Sequence, residues 1–188
     1  MTSSIFIDKP VLSVKKQILA VILACTFAVI LPQILHLIGK ITETGTLLAS
    51  ILSPMHFPII FIGLIAGPFA GAISGILAPV VSFALTGMPF LSKLPFMVIE
   101  LFGYGLCTGI LRNIRLNNFV KVFITMVFGR FLQFIVTAFL VFAFSKELNI
   151  FGIWLSVPKC LPGIILQIIL IPLLVKKFDS TEPNKISL

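Results

Sequence analysis

Long apolar runs separated by short polar segments set the pattern of this chain. Six runs follow in order: residues 17–38, a second ending at Gly67-Pro68, then 69–86, 95–111, 122–144 and 150–175. The second starts either at Leu47 with a kink at Pro54, or at Pro54 itself, with Ser53 as N-cap and proline at the first helical position. A helix needs about 20 apolar residues to cross the hydrocarbon of a bilayer. The second, third and fourth runs are short by that measure, so the pattern predicts a compact all-α bundle of six transmembrane helices. Pro79 predicts a kink in the third run, and Pro158, Pro162 and Pro172 predict breaks in the sixth. The expected organisation is a polar lead over 1–16, a membrane domain over 17–175 and a polar tail over 176–188.

Composition turns that pattern into a statement about solvent. The chain is 59% hydrophobic and only 11% charged, with a mean hydropathy of +1.18. A soluble domain carries about 25% charged residues, so most of this surface must meet the lipid bilayer. The first run resembles a signal peptide in following a basic segment. It is longer than an h-region, and no small-x-small site follows it. The net charge of +8 fits anionic lipid and membrane topology, not nucleic acid. With both termini on the cytoplasmic side, the inner segments hold nine basic residues and the outer ones four, with Arg130 inside a span. That excess satisfies the positive-inside rule.

Candidate chemistry concentrates in 53–111, where His56 and Glu100 interrupt apolar sequence. Arg130 and Lys159 are the other ionisable residues at membrane depth. Each costs about 2–3 kcal/mol or more unless paired or watered. At 1.5 Å per residue, Glu100 lies roughly 8 Å below the start of the fourth run. His56 is one to three turns deep, and Lys159 is in the outer part of the sixth run, so a wet outward pocket accounts for all three. Trp154 either anchors the interface or walls that pocket. The competing account pairs Glu100 with Arg130, about 13 Å in from Lys121 at the same rise. His36 is expected at the interface, without a functional role. Cys25, Cys107 and Cys160 show no paired spacing, so neither disulfides nor a metal site is expected. Two histidines, six acids and no hydrolase or phosphate-loop motif argue against catalytic residues, an intrinsic cofactor or an ATPase within the chain.

Small residues recur at four-residue spacing as Ala20, Ala24 and Ala28, and again as Gly67, Gly71 and Gly75. Such stripes let helices approach closely, in the same chain or in a partner. The glycine stripe is expected to pack internally; for the alanines the two readings stay open. The chain also contains Pro54-Met55-His56-Phe57-Pro58, Thr86-Gly87-Met88-Pro89, Glu100-Leu101-Phe102-Gly103-Tyr104-Gly105 and Leu161-Pro162-Gly163-Ile164-Ile165-Leu166-Gln167. With the basic N-terminus, six spans and the alanine stripe, the chain resembles the substrate-binding S components of energy-coupling factor (ECF) transporters. The resemblance implies a vitamin or similar micronutrient bound in an outward pocket of a prokaryotic cell-membrane protein. It implies docking to a transmembrane coupling protein and two cytoplasmic ATPases, with the S component toppling in the membrane to release substrate. It assigns Ala20, Ala24 and Ala28 to the coupling contact. Pocket residues do not carry over by motif, so His56, Glu100, Trp154 and Lys159 are the expected substrate contacts. The competing functions are a small non-transport membrane scaffold and a stand-alone facilitator.

Overall fold

The computed structural model describes residues 10, 12–144 and 157–181. Every regular element among them is helical: α1 Val14–Ile41, α2 Leu47–Leu52, α3 His56–Ala66, α4 Pro68–Thr86, α5 Leu94–Leu111, α6 Asn118–Phe144 and α7 Val157–Thr181. Taking α2 and α3 as one broken crossing, Leu47–Ala66, six segments are long and apolar enough to span a membrane. Residues such as Ile18, Ile22, Phe27, Phe123, Phe139 and Leu173 stand exposed around the bundle, as lipid-facing side chains do. The chain is a multi-pass membrane protein.

Several boundaries depart from the sequence reading. The first helix begins at Val14 and runs to Ile41, about 42 Å long at 1.5 Å per residue. It therefore carries Lys15 and Lys16 in its first turn, past the hydrocarbon boundary that hydropathy marks. Ser53 is not an N-cap: it adopts the left-handed conformation, φ 44°, as the C-cap of α2, and α3 starts only at His56. Pro54 has no N–H to extend α2, so the crossing is interrupted over 53–55. The breaks expected at Pro162 and Pro172 are absent, because α7 runs through both; Pro158 falls in its first turn. Pro79 and Pro32 likewise sit inside continuous helices. In a packed membrane bundle, neighbouring groups and local adjustments absorb the hydrogen bond that each proline removes.

The α4–α5 contact is the closest in the bundle, and glycine makes it possible. A Cβ on Gly71 would fall on the Gly105 carbonyl, one on Gly105 would fall on that of Gly71, and one on Gly75 would meet the Leu101 carbonyl. Backbone thus meets backbone, as small-residue stripes allow. Gly67, at φ 98°, makes the turn from α3 into α4 in a conformation that favours glycine. Near it, Arg112 donates to the Pro10 carbonyl at 3.0 Å, and Lys121 Nζ donates to the Arg112 carbonyl at 3.2 Å. These contacts define a basic end of the bundle. The opposite end holds α2, the start of α3 and the α4–α5 loop.

The alanine stripe divides by position. Ala24 and Ala28 are 1% and 0% exposed and belong to a core cluster with Met55, Ile59, Ala70 and Leu101, whereas Ala20 is only partly buried at its edge. Ala24→Trp is therefore expected to overpack this core and lower stability by about 1–3 kcal/mol or more, visible as a lower midpoint in a detergent thermal-unfolding assay. Ala20→Trp is expected to leave that midpoint within experimental scatter; an unchanged midpoint for Ala24→Trp would show that α1 can leave the core at no cost.

Candidate functional site

Glu100 and Tyr104 are one helical turn apart on α5 and face α6 and α3. The Tyr104 hydroxyl donates to Glu100 Oε1 at 2.6 Å. Arg130 Nε on α6 lies 3.1 Å from the same oxygen, and His56 Nε2 lies 3.9 Å away. The His56 and Tyr104 rings meet edge to face with centroids 5.1 Å apart. Gly129 makes room for this arrangement, since a Cβ there would run into the Tyr104 ring. All four side chains are largely withdrawn from the surface, Glu100 being 5% exposed. A buried carboxylate is tolerated here because it is paired and hydrogen-bonded. His56 Nε2 is the member left without a hydrogen-bond partner.

Two cavities meet at His56. The larger, about 270 Å³, opens at the end of the bundle opposite Arg112 and Lys121. Its polar lining comes from Gln33 and His36 on α1, Ser50 and Ser53 at the helix break, Ser82 on α4 and Lys93 before α5. Its apolar walls are Met55, Met88, Met97, Phe90 and several prolines. The smaller, about 20 Å³, lies between His56, Tyr104, Arg130 and Gln167, room for a single water. Beside it, Gln167 Nε2 donates to the carbonyls of Leu52 and Ser53 at 3.1 and 3.2 Å. Those carbonyls lie where α2 ends and intrahelical donors run out; the Ser53 carbonyl also accepts the His56 N–H at 3.2 Å. Gly163 permits this, because a Cβ there would strike the backbone at Ile51 and Leu52. The α7 motif thus holds the α2–α3 break in place.

Three of the four residues singled out in the sequence are described by the structure, and it gives them different surroundings. His56 lines both cavities. Glu100 lines neither; it lies behind His56 in the ion pair with Arg130, which is the pairing account. Lys159 is exposed on the first turn of α7 and outside both linings. Trp154 falls outside the described residues. Sequence reasoning missed Lys93, Gln33 and His36. The last two carried a signal: polar groups three apart share a helix face, and here they interrupt an apolar span. Among the described residues, no group of three or more histidines, cysteines or acids gathers to hold a metal.

The ion pair makes a separable prediction. Glu100→Gln or Arg130→Met strands the other charge and is expected to cost about 3–5 kcal/mol. Glu100→Leu with Arg130→Met removes both charges and should recover most of that loss in the same unfolding assay. A double variant as unstable as the singles would mean that the network contributes more than charge pairing.

No curated protein and no solved structure matches the chain. A family described as "ECF transporter, substrate-specific component" does, over residues 15–175. That match takes in the cavity and the buried network and reaches into all six crossings described. The chain belongs to the substrate-specific components of ECF transporters, a family of substrate-binding transport subunits.

Proposed function

We propose that the chain is the high-affinity binding subunit for a vitamin or related micronutrient in an ATP-driven ECF importer of a prokaryotic cell membrane. The observation that carries this reading is the cavity of about 270 Å³ at the end of the bundle away from Arg112 and Lys121. With the basic end in the cytoplasm, as the positive-inside rule favours, both termini are cytoplasmic and the cavity opens outward. Substrate enters there and contacts His56. Glu100 acts through His56, held by Arg130 and Tyr104 behind it. The loaded subunit then docks to a transmembrane coupling protein, and two cytoplasmic ATPases supply the energy. In the alanine stripe, Ala20 is the position open to such a partner without unpacking α1; Ala24 and Ala28 set the helix that presents it.

The chain purified in mild detergent is expected to carry a small molecule identifiable by mass spectrometry, or to bind one from a vitamin panel without ATP. A pull-down from native membranes is expected to recover a coupling protein and ATPases. Binding of nothing together with recovery of no such partners would favour a non-transport scaffold. Uptake by the chain alone in liposomes would favour a facilitator. His56→Ala is expected to weaken binding at least about tenfold while the chain remains folded, in line with the loss of one buried polar contact.

A further inference from the structure

We propose that the cavity selects a small monoanion, a carboxylate on a single ring or short chain, and that Lys93 is the residue that sets this charge preference. The inference rests on the cavity being the substrate site and concerns only what it accepts. Size supplies the first constraint. The cavity volume, about 270 Å³, lies near the lower end of small-molecule sites. A cavity of that size suits a single ring or a short chain. The thioethers of Met55, Met88 and Met97 and the ring of Phe90 give this space polarisable and flat walls that suit the body of such a ligand.

Charge supplies the second constraint. Among the described residues no carboxylate lines the cavity, while Lys93, His36 and His56 all do. The nearest buried acid, Glu100, is already engaged by Arg130 and Tyr104, so it does not offset the lysine. Lys93 is also the N-cap of α5, where the helix presents its partial positive charge. Its flexible stem carries a compact ammonium with three donors at the mouth, placed to close over an anionic group while Ser50, Ser53 and Gln33 serve the ligand's neutral polar atoms. Among the described residues, a cationic ligand would find no carboxylate in the lining.

The test uses the purified full chain in detergent and matched probes that differ in charge: nicotinate against nicotinamide, biotin against biotinamide, with thiamine as a cation. The acid of any pair that binds is expected to bind at least about tenfold tighter than its amide, the lower bound for a hydrogen bond to a charged group. Lys93→Gln should abolish that preference, Lys93→Arg should keep it, and raising salt should weaken it. For a ligand outside these pairs, the charge of the molecule that co-purifies decides in the same way. An amide or cation bound as tightly as the acid, or a preference unaffected by Lys93→Gln, overturns the inference and leaves the transport reading standing. If no molecule binds or co-purifies, this inference falls; if a pull-down also recovers no coupling protein or ATPases, the transport reading falls with it.

Discussion

One oxygen atom organises the middle of this bundle. Glu100 Oε1 takes the Tyr104 hydroxyl and the Arg130 guanidinium, and a carboxylate at that depth is sustainable only while it does so. The pair ties α5 to α6, and α5 is tied to α4 through the Gly71–Gly105 contact. Tyr104 then presents its ring to His56, whose position at the start of α3 follows from the Ser53 break. A charge pair, a backbone contact and a helix interruption therefore fix the orientation of the one histidine shared by both cavities.

Much of the fold was legible because lipid is an exacting solvent. A backbone without water must be helical or in a closed barrel, so counting apolar runs came close to counting crossings. Helix ends were less legible. Hydropathy reports where hydrocarbon ends, not where hydrogen bonding ends, and so α1 and α6 extend into their polar flanks. Prolines were overread as breaks: Pro162 and Pro172 lie within α7, while the real interruption is at Ser53–Met55, where the chain also adopts a left-handed residue.

The site was legible in part, for a different reason. Buried ionisable residues are costly, which drew attention to His56 and Glu100 correctly as unusual. Depth arithmetic could place Glu100 and Arg130 but could not choose between pairing and ligand contact, because that depends on helix rotation. The same gap separates Lys159 from Lys93. Both belong to one end of the bundle by topology, yet Lys93 lines the cavity and Lys159 does not. Rotation also sorts the alanines: Ala24 and Ala28 turn inward against α3 and α4, and Ala20 sits at the margin. The quoted motifs gain a shared meaning here, since His56, Tyr104 and Gln167 come from three of them and line the same small cavity.

The segment from Met88 to Lys93 forms part of the larger cavity's wall yet takes no part in the glycine contact between α4 and α5. The frame and the cavity wall are thus written in different stretches of the chain. Substitutions there reshape the cavity wall without touching the backbone-to-backbone seam between α4 and α5. A scaffold built in this way can vary its cavity while its architecture stays constant, because the short connection before α5 lies outside that seam.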